Sequence, residues 1–364
     1  MSMPKNQNNM PTIQQELDDL LLNALQLNAS DLHFNVGYKP NVRIDGKLFP
    51  LQDFSILTAE HSQDLAFSLL GEKKARFLER KEIDFSYAFR DKARFRVNVF
   101  FEKGFISSAL RLIPSKIMTI EELNLPTVLH KIPNLKQGFV LLTGPSGHGK
   151  STTLASIINE INHERSEHII TIEDPIEYLF IGDKSIVNQR EIGQDTNSFS
   201  NALSSILRED PNIIMIGEMR DPETISAALT AAETGHLVFS SLHTNNASQT
   251  VDRIIDVFPS NQQNQVRLQL ANTLSAIISQ RLLPRLKGGR IPAVEVMFSN
   301  NAVSNLIRES KAHQIDLVIE TSLENGMLSL NRSLAELVRR GEVALEAALN
   351  YSINPQELQT RINQ

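Results

Sequence analysis

Near the start of the chain, Ile13, Leu17, Leu20, Leu21, Ala24 and Leu25 recur at helical spacing from Thr12 onward. Ala29-Ser30-Asp31 ends that helix, and Leu32 to Val36 reads as a strand. Val42 to Phe49 reads as a hairpin turning at Asp45-Gly46. A second helix is predicted from Thr58, as its cap, to Arg80. Period-two alternation follows. Ile83, Phe85, Tyr87 and Phe89 share one face of a strand. Phe95, Val97 and Val99 share a face of the next, with Arg94, Arg96 and Asn98 opposite. Phe105 to Ile113 continues the sheet and carries Arg111. Antiparallel strands with two helices make a small α+β domain. We place a tail at 1–11, expected to be disordered, this domain at 12–115 and a linker at 116–135 punctuated by Pro126 and Pro133.

From 136 to 364 the pattern changes to strand alternating with helix, the mark of an α/β domain with a mostly parallel sheet. Strands are predicted at Phe139 to Thr143, His168 to Ile172, Asn212 to Ile216 and His236 to Leu242. Helices are predicted from Ser198 to Arg208 and from Asp221-Pro222 to Gly235, the latter with an Asp cap and Pro at the first helical position. Beyond Asn261 one long helical pattern carries Val266, Leu270, Leu274, Ile277 and Ile278. A strand at Ile291 to Phe298 precedes mostly helical sequence.

The first of these strands runs into Gly144-Pro145-Ser146-Gly147-His148-Gly149-Lys150-Ser151, and Leu154, Ile157, Ile158 and Ile161 then resume helical spacing. Strand, glycine-rich G-x-x-x-x-G-K-S turn and helix make a phosphate-binding loop. Glycines let backbone N–H groups point inward at phosphate oxygens, and the helix start adds positive partial charge. Lys150 can reach the β- and γ-phosphates, and Ser151 can ligate Mg²⁺. The sequence therefore predicts a nucleoside triphosphate site, with Gly144, Pro145, Ser146, Gly147, His148, Gly149, Lys150, Ser151 and Thr152 binding the phosphates.

Phosphoryl transfer also needs acids for a metal and a water, and cations for transition-state charge. Glu173-Asp174-Pro175-Ile176-Glu177 and Glu218 each follow an apolar strand in this domain. Gly217 stands where an Asp is usual before such an acid, so Glu218 is expected to hold the metal or its water shell. His236 and His243 flank a strand. They either sense the γ-phosphate region or are ordinary strand-end histidines. Arg94 and Arg96 are either a solvated sheet face or arginine fingers offered to a neighbouring subunit's nucleotide.

Composition narrows the class. The 364 residues carry a net charge of −6, which leaves no basic footprint for nucleic acid. No apolar run reaches the length of a spanning helix and no signal-peptide core is present, so a soluble cytosolic protein without membrane insertion is expected. Cysteine is absent, which excludes disulfides and Cys-based zinc sites.

Four ordered motifs then carry a resemblance. Glu173 to Tyr178 resembles the aspartate box of the secretion ATPases. Ile214 to Asp221 resembles their atypical Walker B. Ala231 to Phe239, running on to Leu242-His243-Thr244, resembles their histidine box, and Asp252 to Pro259 extends the match. Within that superfamily the chain resembles the type IV pilus retraction ATPases. It opens almost directly on the small α+β domain and has no tetracysteine insertion. Leu306-Ile307-Arg308-Glu309-Ser310-Lys311 resembles their A-I-R-E-N-K signature, with Leu and Ser replacing its Ala and Asn. The resemblance implies a PAS-like N-terminal domain, a RecA-like core with C-terminal helices, and a homohexamer hydrolysing ATP with Mg²⁺. It implies Glu177 as the acid on the attacking water, Glu218 as the Walker B acid, and Arg94, Arg96 and Arg111 approaching nucleotide. It further implies work at the inner face of the cytoplasmic membrane on a pilus platform protein. The alternative is a pilus-extension or type II secretion assembly ATPase.

Overall fold

The structure, a computed structural model, describes residues 12–44, 46–90, 93–113 and 116–363. The expected tail at 1–11 and Asp45 of the expected turn lie outside the described residues. The chain divides into two compact units, Met1–Ser115 with Pro175–Leu179, and Lys116–Asp174 with Phe180–Gln364.

The first unit runs α1 (Ile13–Gln26), β1 (Asp31–Phe34), β2 (Asn41–Ile44), β3 (Lys47–Pro50), α2 (Ala59–Leu70), α3 (Lys74–Arg80), β4 (Glu82–Phe89), β5 (Ala93–Glu102) and β6 (Phe105–Ile113). Thr12 and Gln15 close a capping box on α1, satisfying donors that the first turn leaves open. The single helix expected from Thr58 to Arg80 is two. The backbone turns at Gly71, at φ +50°, and a short 3₁₀ turn separates α2 from α3. Among the described residues the strands form a six-stranded antiparallel sheet in the order β3-β2-β1-β6-β5-β4. Its inner face brings Phe85, Phe95, Val97 and Val99 into one core with Leu17, Leu21 and Leu65 of the helices. The alternation that buries them places Arg94 and Arg96 on the opposite face.

The second unit runs β7 (Gly138–Thr143), α4 (Lys150–Glu164), β8 (His168–Glu173), β9 (Ile186–Glu191), α5 (Phe199–Ile206), β10 (Ile213–Ile216), α6 (Pro222–Glu233), β11 (Leu237–Leu242), α7 (Ala247–Asp256), α8 (Ser260–Thr273), β12 (Leu274–Pro284), β13 (Arg290–Phe298), α9 (Asn301–Arg308), α10 (Ile315–Thr321), α11 (Leu330–Arg339), α12 (Leu345–Tyr351) and α13 (Pro355–Asn363). Among the described residues its sheet has seven strands in the order β13-β12-β7-β11-β10-β8-β9. All pair in parallel except β13, which is antiparallel to β12. Helices cover both faces, as a buried parallel sheet requires. Ile120, Leu125, Leu129 and Ile132, in the segment read as a linker, are buried in one of these cores. The last three helices pack on β12 and β13 around Leu283, Ile291 and Leu334.

Two predicted elements change. The helix expected to run through Leu274, Ile277 and Ile278 stops at Thr273, and those residues begin β12. Their spacing suits a helix, but a strand clamped between β7 and β13 is apolar on both faces and hides its period. β9 was not foreseen, because its sequence Ile-Val-Asn-Gln-Arg-Glu is largely polar; ladder bonds to β8 and side-chain bonds from Gln189 to Glu173 and from Arg190 to Glu209 hold it at the edge. Parallel pairing brings the ends of β7, β8, β10 and β11 out at one edge of the sheet, where α/β folds bind ligands.

Candidate functional site

The site is built from the turns that leave those strand ends. After Thr143 the chain enters the phosphate loop at Gly144, whose φ is +142°. A Cβ there would stand 2.4 Å from the Gln280 carbonyl oxygen. Gly149, at φ +82°, caps α4, and a Cβ there would meet the Gln280 amide at 2.8 Å. At Gly144 only glycine fits without moving β12, and at Gly149 a Cβ would strain a left-handed backbone and displace the Gln280 side chain. Lys150 opens α4 and is only 7% exposed. Its ammonium donates to the carbonyls of Gly144 at 2.7 Å and Pro145 at 3.0 Å. Ser151 is exposed in the first turn, and Thr152 is half-buried beside it. Gly144 through Thr152 thus form one cradle at the start of a fifteen-residue helix. Its tight glycines, buried cation and helix start without a side-chain cap match what a polyphosphate needs.

His243 follows β11 and faces the loop. Its Nδ1 lies 3.4 Å from the Lys150 ammonium and 3.5 Å from the Ser146 hydroxyl, and its Nε2 lies 3.8 Å from a Glu218 oxygen. Burial, then the nearby Lys150 charge, holds its pKa below the usual histidine value. The other Glu218 oxygen pairs with Arg220 at 2.6 Å. Ser241 donates to the Gly217 carbonyl at 2.6 Å, which ties the end of β10 to β11. Lys150, Ser146, Glu218 and His243 are therefore brought together.

His236 is not. It precedes β11, whose six residues at about 3.3 Å each set it some 20 Å from His243. There its Nδ1 lies 2.9 Å from the Ala231 carbonyl, at the far edge of the sheet, in a cavity of 560 Å³ shared with Lys136 and Arg165. Within its own unit, His236 thus lies at the opposite end of β11 from the phosphate loop.

Glu177 lies in Pro175–Leu179, which belongs to the first unit. The three arginines also lie in that unit, on its sheet. Arg43, Asp31, Arg111, Arg96 and Ser86 form one register row across five strands, with Arg96 directly opposite Arg111. Asp31 takes the Arg111 guanidinium at 2.9 Å and approaches Arg43 at 3.7 Å. Arg94 donates to the Ser86 hydroxyl. The row holds more positive than negative charge, and like charges set opposite one another on a sheet are unfavourable.

Sequence reasoning missed the platform beneath the loop. Gln280 on β12 donates to the His148 carbonyl at 2.8 Å and accepts from Thr153 at 2.8 Å. Arg281 donates to the Asn245 carbonyl and side chain at 2.9 and 2.8 Å. The Leu282 N–H donates to His148 Nδ1 at 3.0 Å. The signal was present as Ser279-Gln280-Arg281, a polar run closing an apolar strand, but a helical reading of that stretch hid it. Beside the platform opens a cavity of 330 Å³ lined by Thr152, Gln280, Leu282 and Arg290, with Met118 and Leu123.

A family model described as type II/IV secretion system protein matches residues 6–340. The chain belongs to that family. Among members, a twitching motility protein of Neisseria gonorrhoeae is 46% identical over 321 residues, 88% of this chain and 86% of its own. The type IV pilus retraction ATPase PilT of Pseudomonas aeruginosa is 44% identical over 336 residues, 92% of this chain and 97% of its own. A crystal structure of the pilus retraction motor PilT with bound ADP superposes with a TM-score of 0.88 at 48% identity, covering 94% of this chain and 98% of that one. The resemblance to pilus retraction ATPases is borne out, as is the α/β fold class with helices at the C-terminal end. Among the described residues no helix is long and apolar enough to cross a membrane.

Proposed function

We propose that this secretion-family chain is an ATP-hydrolysing motor that powers type IV pilus retraction. One observation carries the chemistry. A buried lysine at the start of α4, in a loop whose first glycine leaves no room for a Cβ, faces a histidine that in turn faces a glutamate at the neighbouring strand end. The function rests on relatives 44–46% identical over most of both chains, one of them named a retraction ATPase.

In this reading the loop's N–H groups and Lys150 bind the β- and γ-phosphates. The 330 Å³ cavity beside Thr152 takes the nucleoside, with apolar Met118, Leu123 and Leu282 against the base. Ser151 and Glu218 would hold Mg²⁺, directly or through its water shell, and the ion would supply positive charge to the phosphates. Glu177 accepts the proton of the attacking water. Neutral His243 orients Glu218 and Lys150 without adding a charge of its own. Arg94, Arg96 and Arg111 answer negative charge that develops in the transition state, which accounts for keeping like charges opposed on one sheet face. We place the motor as a homohexamer at the inner face of the cytoplasmic membrane, acting on a pilus platform protein.

The test has two parts. The purified chain should hydrolyse ATP in a Mg²⁺-dependent manner, and Lys150→Ala should remove that turnover while the fold melts normally. Cells lacking the protein should keep pili but fail to retract them, and Lys150→Ala should not rescue. Turnover by Lys150→Ala at the parental rate would remove the loop from the mechanism. Normal retraction without the protein would remove the motor role.

A further inference from the structure

One register row crosses β7, β12 and β13: Thr143 stands opposite Ser279, and Ser279 stands opposite Glu295. All three side chains are buried, with Glu295 5% exposed in a strand whose neighbours are Val294 and Val296. The Thr143 hydroxyl donates to Ser279 at 3.0 Å, and the Ser279 hydroxyl donates to Glu295 Oε1 at 3.2 Å. The same oxygen accepts the backbone N–H of Ala247 at 2.8 Å. Thr143 is the last residue before the phosphate loop. Ala247 opens α7 and ends the turn that begins at His243.

A carboxyl in this place is costly, and an apolar residue would serve the sheet better. What the carboxyl supplies is a single acceptor shared by the two segments that frame the γ-phosphate position. We propose that Glu295 is a positioning residue for nucleotide hydrolysis: through Ser279 it fixes the entry to the phosphate loop, and through the Ala247 N–H it fixes the turn bearing His243. This rests on the nucleotide-site reading above.

The ionised acid holds both donors better than the neutral one, since charge-assisted bonds are about twice as strong. Burial pushes Glu295 up to about 7, a rise that the Ala247 N–H already tempers. Asp316 from α10 contributes to the rise, and Ser279 and Arg281 from β12 oppose it. The Asp316 carboxyl itself is held by Ser248 on α7. Positioning is therefore complete above neutrality and weakens as the acid takes a proton.

The test compares the full chain with Glu295→Gln, which keeps the shape and one acceptor oxygen but cannot ionise. Turnover at saturating ATP and Mg²⁺ should rise through a step near neutrality in the parent and show no such step in the variant. At alkaline pH the variant should be about tenfold slower, the order expected when a reacting group shifts by a fraction of an ångström. Infrared difference spectra without nucleotide should show a protonated carboxyl band that disappears across the same step in the parent only. Amide exchange at alkaline pH should quicken over 144–150 and 243–247 in the variant. A variant with the parental pH profile, or a parent lacking that band, overturns the proposal. If Glu295→Gln does not fold, Ser279→Ala decides. It removes the relay from Thr143 to Glu295 and leaves the Ala247 bond, so slower turnover with normal melting supports the role and parental turnover ends it. Should the parent hydrolyse no ATP, the nucleotide-site reading fails separately, and the infrared and exchange measurements still decide what Glu295 does.

Discussion

His243 stands between Lys150 and Glu218, with its Nδ1 3.4 Å from the ammonium and its Nε2 3.8 Å from the carboxylate. A positive ring there would repel Lys150, and the same cation helps keep the imidazole neutral. The lone pair on Nδ1 is then open to the lysine, and the Nε2 proton points toward Glu218. The imidazole thus sets the spacing between the proposed phosphate-binding cation and the proposed metal-shell acid.

That spacing makes the acids testable apart from binding. Glu218→Gln keeps the shape and one acceptor but loses the charge toward Arg220, His243 and a metal. Glu177→Gln loses the ability to accept a proton. Each should lower ATP turnover by about 10²-fold or more, the range lost with a general acid–base group. Affinity for a fluorescent ATP analogue should stay within a few-fold in Glu177→Gln. It should fall in Glu218→Gln only when Mg²⁺ is present. Unchanged turnover in either variant would make that residue structural.

Gly144 and Gly147 separate close packing from backbone strain. Both have positive φ, but a Cβ at Gly144 would strike the Gln280 backbone at 2.4 Å, whereas at Gly147 it meets nothing within 4 Å. Gly144→Ala must push the loop off β12 and should cost about 1–3 kcal/mol, as overpacking does. Gly147→Ala should cost about 1–2 kcal/mol, from left-handed backbone strain alone. Thermal melts give the first comparison. ATP-analogue binding should be lost in Gly144→Ala even below its melting point. Equal effects at the two positions would remove the packing argument.

The phosphate loop was legible because its signal is local: a strand, fixed glycines, Lys150 and a resumed helical face within about one βα unit. Tertiary pairing supplied what was not. Leu274, Ile277 and Ile278 satisfy helical spacing, and only partners on both sides make them a strand. With that strand misread, Gln280, Arg281 and Glu295 had no visible relation to the loop. His236 and His243 looked alike in sequence. A six-residue strand between them sends one to each edge of the sheet.

His148 offers a pH test of the loop's anchorage. Its Nδ1 accepts the Leu282 N–H, so the ring must carry its proton on Nε2. Burial, then Arg281, Lys150 and Arg290, lowers its pKa from the ordinary histidine value. A depressed histidine contributes stability that is whole above the unfolded value of about 6.5 and is lost as pH falls toward the folded one. His148→Asn keeps an acceptor near Nδ1 but does not titrate. Between neutral and mildly acidic pH the melting temperature of the parent should therefore fall further than that of the variant. Parallel curves would show that the ring does not report on the loop.

The arginine row of the first unit carries the last prediction. Arg96 faces Arg111 across the β5–β6 pair, and Asp31 is the carboxylate that binds Arg111 in that row. In the proposed ring these side chains serve a nucleotide held by another copy, and an arginine supplied in trans can be worth ~10³-fold or more in rate. Turnover per chain should then rise with protein concentration as subunits associate. Arg94→Ala/Arg96→Ala chains and Lys150→Ala chains should each be inactive alone. Mixed, they should recover part of the activity, because an intact phosphate loop can meet intact arginines at some interfaces. Native mass spectrometry establishes whether mixed rings form. Mixed rings as inactive as their parents would place the arginines in service of their own subunit's nucleotide, and concentration-independent turnover would remove the shared site.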